Sequence, residues 1–95
     1  MERQHNCIGG KFEPAAAGEW LDNINPATLQ VVSQIPRSRS EDVDRAVAAA
    51  KTAGQGPWSK SSAVERAEVL ERVACGIEAR LEELARLESE DTGKP

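Results

Sequence analysis

The first third of the chain alternates between apolar and polar residues in short stretches, and this pattern predicts strands. Positions 19–24 alternate, as in a strand with one half-buried face. The stretch Leu29–Ile35, LQVVSQI, is rich in β-branched residues, which favour strands. A shorter candidate, Cys7–Phe12, contains a glycine pair that is typical of a turn. We therefore predict a small antiparallel sheet of two to three strands within about residues 8–36, after a flexible start at residues 1–7.

The rest of the chain follows a helical period of apolar residues. One run predicts a helix over about residues 40–53, and a longer run predicts a second helix over about residues 63–90. The predicted fold is therefore α/β, with a small sheet followed by two helices. The long helix has more apolar face than a sheet of three strands can cover. With 95 residues, the chain has room for one small domain, and we interpret it as a fragment of a larger protein.

The starts of both predicted helices carry capping signals. Ser62 and Glu65 have the spacing of a capping box at the start of the second helix. For the first helix two caps are open: Ser38 paired with Glu41, or Ser40.

Charge and composition limit the partners of the chain. Its net charge of −4 is opposite to the basic surface that nucleic-acid binding needs. The apolar runs are far shorter than the roughly 20 residues of a membrane span, and the first residues, MERQHNCIGG, lack the apolar segment of a secretory signal. We therefore predict a cytoplasmic protein with no nucleic-acid or membrane partner. Cys7 and Cys75 lack metal-ligand spacing and are predicted to be free thiols.

Catalytic motifs are missing from the sequence. It contains no P-loop, no G-x-G-x-x-G after a strand and no H-E-x-x-H. His5 is interpreted as a solvated residue of the flexible start. Glu71 and Glu78 lie about one helical turn from Cys75, and acidic neighbours disfavour the reactive thiolate. No residue is therefore predicted to be catalytic or to bind an organic cofactor.

Acidic side chains are concentrated at the end of the second predicted helix. Carboxylates are unfavourable there because a helix C-terminus carries partial negative charge. Two interpretations stay open. The first is a solvated rim offset by Arg80, Arg86 and Lys94. The second is a site where one carboxylate and unpaired main-chain carbonyls bind a cation, with Asp91 as the best candidate for the carboxylate.

Six short motifs occur in order along the chain: I-G-G-K-F at Ile8–Phe12, I-N-P-A-T at Ile24–Thr28, S-E-D-V-D-R-A-V at Ser40–Val47, G-P-W-S-K at Gly56–Lys60, E-R at Glu65–Arg66 and D-T-G-K-P at Asp91–Pro95. In this order and spacing, the chain resembles the N-terminal part of the NAD(P)-dependent aldehyde dehydrogenase superfamily.

The resemblance implies an activity for the complete protein, the oxidation of an aldehyde to a carboxylic acid with NAD or NADP. It implies that the cysteine nucleophile, the glutamate base and the main cofactor contacts lie beyond Pro95, so that this chain alone is inactive. It also implies a monovalent cation held by Asp91 and by the main-chain carbonyls of Asn23 and Ile24. Family members form dimers or tetramers, so the resemblance implies a homo-oligomer.

Within the superfamily, the chain is most similar to the muconic semialdehyde dehydrogenases in the stretches I-G-G-K-F, G-P-W-S-K, V-E-R and G-I-E-A-R. Betaine-aldehyde and general aliphatic aldehyde dehydrogenases are the alternatives. A non-catalytic strand–helix interaction module stays open as a different class of function. The chain departs from the family pattern at Leu29, where members usually have glycine after N-P-x-T, and this predicts a reshaped or strained turn.

Overall fold

The fold consists of five strands and three α-helices. A computed structural model describes residues 2–95. The strands are β1 (Glu2–Arg3), β2 (Asn6–Ile8), β3 (Lys11–Glu13), β4 (Trp20–Ile24) and β5 (Val31–Pro36), and the α-helices are α1 (Ser40–Gly54), α2 (Ala63–Ala79) and α3 (Leu81–Thr92), with a short 3₁₀ helix at Pro57–Lys60.

The strands form two separate sheets. One has the order β1-β5-β4, with the β-branched strand β5 in the centre. Strand β4 pairs with β5 antiparallel, whereas β1 pairs with it in parallel. Strands β2 and β3 form a separate antiparallel hairpin, and its turn is Gly9–Gly10, with φ of 60° and 77°, conformations that glycine adopts at little cost.

The predicted α/β class is confirmed, but details of the predicted sheet and of the start of the chain are wrong. The sheet is mixed and not purely antiparallel, because β1 adds to it in parallel. The start of the chain is not a flexible tail: within residues 2–7, β1 is hydrogen-bonded to β5, and the Gln4 amide donates to the Gln34 carbonyl at 2.8 Å. A segment of polar residues is therefore ordered here by main-chain hydrogen bonds, which no apolar pattern signals.

The long helix predicted over residues 63–90 is two helices that meet at Arg80. Arg80 has φ −120° and ψ 25°, outside the helical region. Its guanidinium makes a fork of two hydrogen bonds to the Glu83 carboxylate, at 2.9 and 2.8 Å, across the first turn of α3. The pair raises the pKa of Arg80 and lowers that of Glu83, chiefly through the side-chain hydrogen bonds. The apolar period continues across the break, so periodicity alone predicted one helix.

The predicted cap of α2 is confirmed, and both predicted caps of α1 are wrong. Glu65 N–H donates to Ser62 Oγ at 3.1 Å, as in a capping box. At α1, by contrast, Ser38 Oγ accepts a hydrogen bond from the Asn6 amide at 2.7 Å, and Ser40 is already helical.

The acceptor at the start of α1 is Asp42. Its Oδ2 accepts the Arg39 N–H at 3.0 Å, and its Oδ1 accepts the Ala16 N–H of the loop before β4 at 2.9 Å. The side chain is 3% exposed. These two hydrogen bonds, the Arg39 one first, lower the pKa of Asp42 below its ordinary value. Asp42 therefore joins the start of α1 to a distant loop.

The molecule is a thin slab with almost no core. A folded domain of this length has a radius of gyration of about 12 Å, but the observed value is 16.8 Å and the extents are 46 × 35 × 16 Å. Ala15 is the only buried apolar residue among residues 2–95. The apolar positions of the helices lie open to solvent, as at Val73 and Ile77, which are 52% and 50% exposed.

Candidate functional site

The structure brings together two of the three residues predicted to form the cation site. Asn23 lies on β4 and Asp91 on the last turn of α3, 68 residues apart in sequence, and Asn23 Nδ2 donates to Asp91 Oδ1 at 2.9 Å. Ile24, the third predicted residue, follows Asn23 directly, and the register of β4 on β5 shifts between them. Such an irregularity changes the direction of the main chain locally. The end of α3 is therefore attached to the sheet at an irregular point of β4.

A buried hydroxyl completes this contact. Ser33 of β5 lies opposite Asn23 in the ladder, is 7% exposed, and accepts a second hydrogen bond from Asn23 Nδ2 at 3.2 Å. The amide of Asn23 thus bridges the sheet and α3. No sequence motif marks Ser33 or the side chain of Asn23 as part of this contact. The only sequence signal was a polar residue within the β-branched run of β5.

The turn after Ile24 also contacts the end of α3. Asn25 Oδ1 accepts the Ala27 N–H at 2.9 Å, and the Asn25 carbonyl accepts the Leu29 N–H at 2.8 Å. Gly93 ends α3 with φ 77°, and a Cβ at this position would lie 3.0 Å from Pro26 Cγ. Glycine therefore permits both the left-handed conformation and the close approach of the helix end to the turn.

The predicted strain at Leu29 is present in this turn. Leu29 has φ 61°, a left-handed conformation that costs an L-residue about 1–2 kcal/mol. Its side chain is 79% exposed, so its packing contributes little to the stability of the fold.

Leu29→Gly is therefore expected to stabilise the protein, by roughly 0.5–1 kcal/mol after the greater flexibility of glycine in the unfolded chain is subtracted. The measurement is chemical denaturation of the complete gene product. Leu29→Ala is the matched control, because it shortens the side chain and keeps the left-handed cost. Equal stability of the two variants would show that the conformation of Leu29 is not strained.

A cleft of about 470 Å³ lies between the sheet and α3, and it includes this contact. Arg86 and Glu90 line its α3 side and form an ion pair at 2.9 Å. Glu90 is thereby neutralised by its own helix, whereas within residues 2–95 Asp91 bonds only to a neutral amide. The unbalanced negative charge at the end of α3 is therefore on Asp91.

The chemistry of this group fits a monovalent cation better than a divalent one. Asp91 is one carboxylate beside neutral oxygens and amides, and among residues 2–95 no three His, Cys, Asp or Glu side chains are grouped so that they could hold a metal ion. Its Oδ1 is used by Asn23, and its Oδ2 makes no hydrogen bond within the described part of the chain. Hard cations take oxygen ligands. One carboxylate oxygen is therefore available, beside the side chain of Asn23.

The helix N-termini of this chain do not fit a dinucleotide. Phosphate binds at a helix N-terminus whose N–H groups are free, but α1 has Asp42 there and α2 has Glu65. The first turn of α3 also carries two carboxylates. All three of these helix N-termini within residues 2–95 carry carboxylates where the phosphates of a dinucleotide would bind.

Cys7 and Cys75 are both free and exposed, as predicted. His5 is exposed, as interpreted from the sequence, and one edge of its ring packs against Trp20, with ring centroids 5.8 Å apart. Arg3 lies over the same indole at 4.7 Å. None of the helices described over residues 2–95 has the length and apolarity to cross a membrane.

The chain as a whole superposes on part of a solved enzyme. The chain superposes on the crystal structure of an NAD-dependent aldehyde dehydrogenase from Sinorhizobium meliloti with a TM-score of 0.94 and 40% identity, covering 100% of this chain and 20% of that one. The fold is therefore that of a segment of an NAD-dependent oxidoreductase.

Sequence comparisons lead to the same class. The profile of the aldehyde dehydrogenase family matches residues 12–95. The chain is 44% identical over 95 residues to a 2-hydroxymuconic semialdehyde dehydrogenase of Pseudomonas sp. strain CF600, covering 100% of this chain and 20% of that protein. It is 43% identical over 94 residues to acetaldehyde dehydrogenase 2 of Cupriavidus necator, covering 99% of this chain and 18% of that protein.

This chain belongs to the aldehyde dehydrogenase family, and the resemblance inferred from the six motifs is confirmed. It spans about one fifth of the length of the relatives it matches.

Proposed function

We propose that this chain is part of a larger enzyme that oxidises an aldehyde to a carboxylic acid with NAD or NADP as the hydride acceptor. The observation that carries this proposal is the family match over residues 12–95. Within that enzyme, residues 2–95 supply two small sheets and three α-helices, whose apolar faces are uncovered. The uncovered faces favour a location inside a larger assembly over a free-standing module.

We propose a muconic semialdehyde as the substrate, because a dehydrogenase of that specificity is 44% identical to this chain. The alternative substrate is a simple aliphatic aldehyde, because acetaldehyde dehydrogenase 2 of Cupriavidus necator is 43% identical to this chain. A cytoplasmic location and a homo-oligomer, dimer or tetramer, are parts of the same proposal. We propose neither a nucleic acid nor a membrane as a partner of the protein.

The test begins with the coding sequence after Pro95. We expect an in-frame continuation, and the complete gene product should reduce NAD+ or NADP+ with 2-hydroxymuconic semialdehyde more efficiently, in kcat/KM, than with acetaldehyde or betaine aldehyde. A preference for acetaldehyde would support the general aliphatic alternative. A stop codon after Pro95, or a complete protein that oxidises no aldehyde, would support the non-catalytic interaction module.

We further propose that Asp91, with the main-chain carbonyls of Asn23 and Ile24, binds a monovalent cation in the complete enzyme. The support is that, among residues 2–95, the second oxygen of Asp91 accepts no hydrogen bond and the side chain has no cationic partner, and that Asp91 contacts β4 at the irregular point between Asn23 and Ile24. A cation there would neutralise the carboxylate that the helix C-terminus disfavours. It would thereby stabilise the attachment of α3 to the sheet.

The cation proposal predicts a stability effect that depends on Asp91. Replacing tetramethylammonium by K+ or Na+ should raise the thermal midpoint of the complete gene product, since a ligand at about 100 times its Kd stabilises by about 2.7 kcal/mol. Asp91→Asn should abolish this rise. Glu82→Gln, which removes an exposed carboxylate from the first turn of the same helix, should retain it. Equal rises in Asp91→Asn and the unmodified protein would place the cation elsewhere.

A further inference from the structure

The side chain of Asn23 has a geometry that its proposed role as a main-chain ligand does not explain. A main-chain carbonyl is available from any residue type, so that role makes no demand on the side chain. Here, however, one amide nitrogen donates both to Asp91 Oδ1 at 2.9 Å and to the buried Ser33 Oγ at 3.2 Å. The amide thus connects the carboxylate to the central strand of the sheet.

The consequence for Asp91 is a fixed orientation. An exposed aspartate at the end of a helix samples several rotamers, and ordering it costs conformational entropy. The hydrogen bond from Asn23 commits Oδ1 and leaves Oδ2 without a donor in the described part of the chain. Ser33 in turn restrains the amide, because the hydroxyl lies on the ladder position opposite Asn23.

We infer that Asn23 is a positioning residue. Its carboxamide holds the Asp91 carboxylate so that the second oxygen of Asp91, Oδ2, can bind the cation. This inference rests on the cation site proposed above. Partners that orient a metal ligand through a hydrogen bond typically change metal affinity by about 10–100-fold when they are removed. The Asn23 amide is such a partner, because it donates a hydrogen bond to Asp91.

The test measures cation affinity in the complete gene product. The thermal midpoint is followed while K+ is titrated at constant ionic strength with tetramethylammonium. We expect Asn23→Ala to raise the concentration of K+ needed for the half-maximal rise by about tenfold. The main-chain carbonyls remain in this variant, so the change reports on the side chain.

The matched control is Gln34→Ala. Gln34 Nε2 donates to Asp22 Oδ1 at 3.0 Å between the same two strands, so this variant also removes an amide–carboxylate hydrogen bond from the sheet. A purely structural effect would lower the midpoint of both variants and leave the K+ dependence unchanged. A K+ dependence that is the same in Asn23→Ala and Gln34→Ala would overturn the inference.

A second variant keeps the shape of the side chain. Asn23→Asp replaces the donating amide by a carboxylate, so that two carboxylates face each other where one hydrogen bond was. Like charges at this distance repel unless a cation lies between them. We therefore expect a lower midpoint than the unmodified protein without added cations, and a larger rise on addition of Ca²⁺. An Asn23→Asp variant whose midpoint responds to Ca²⁺ no more than the unmodified protein would contradict the placement of the amide against Asp91.

The outcomes separate this inference from the proposals on which it rests. An enzyme that oxidises aldehydes but shows no K+ or Na+ dependence would refute both the cation site and the role of Asn23, and leave the activity standing. A K+ dependence that needs Asp91 but not the Asn23 side chain would refute only the inference.

Discussion

Residues 1–95 expressed alone are expected to show no cooperative thermal transition. Each ordered residue loses about 1–2 kcal/mol of backbone conformational entropy, and a domain offsets this mainly by burying apolar side chains, at about 1.5–3 kcal/mol for each large one. Among residues 2–95 only Ala15 is a buried apolar residue, and sixteen large apolar side chains are exposed. Secondary structure can form locally, but it has no core against which to pack.

The measurements are near- and far-ultraviolet circular dichroism during heating, with the binding of a hydrophobic dye. We expect some helical signal, a broad and gradual loss of it, and strong dye binding. The complete gene product is the control and should unfold in a sharp transition with little dye bound beforehand. A sharp transition of the isolated 95 residues, at a midpoint independent of concentration, would contradict the prediction. A concentration-dependent midpoint would mean that the exposed faces are covered by self-association.

The sequence predicts those parts of the fold that interactions between neighbouring residues determine. Strand β5 has a β-branched run, and its pairing with β4 follows a short turn that Asn25 closes with its own side chain. The Ser62–Glu65 capping box depends on residues three apart. Leu29 was identified as a strained position, and its φ is 61°. In each case the deciding interactions lie within a few residues.

The parts that were missed depend on residues distant in sequence. Strand β1 is ordered by its parallel pairing with β5, about thirty residues later. The contact of Asn23 with Asp91 spans 68 residues, and the resemblance to a family suggested the pair without predicting the side-chain hydrogen bond. The break at Arg80 has a local ion pair, but the apolar period passes through it unchanged. Periodicity reports which face of a helix is apolar and carries little information on where the helix bends.

The cap of α1 also depends on a residue that is distant in sequence. Ser38 and Ser40 are good capping residues by type, but the start of α1 uses Asp42 because the loop at Ala16 presents a second N–H to the same carboxylate.

Asp42→Ala removes both acceptors from a site that is 3% exposed and leaves two N–H groups without partners. Unpaired buried polar groups are costly to stability. We expect a clear fall in the denaturation midpoint of the complete gene product. Asp44→Ala, an exposed aspartate two residues later on the same helix, should change it little.

The pH dependence distinguishes the charge of Asp42 from its shape. Hydrogen bonds from Arg39 and then Ala16 lower its pKa below the ordinary 3.8. A carboxyl whose pKa is lower in the folded state stabilises the fold fully above its unfolded pKa, and this stabilisation is lost as the pH falls through the folded pKa. The difference in unfolding free energy between the unmodified protein and Asp42→Asn should therefore be constant above about pH 5 and shrink below about pH 4. Asp44→Asn should show no such change. A difference between the unmodified protein and Asp42→Asn that stayed constant down to the acid limit of folding would mean that the Asp42 carboxylate is not the group that holds the loop to α1.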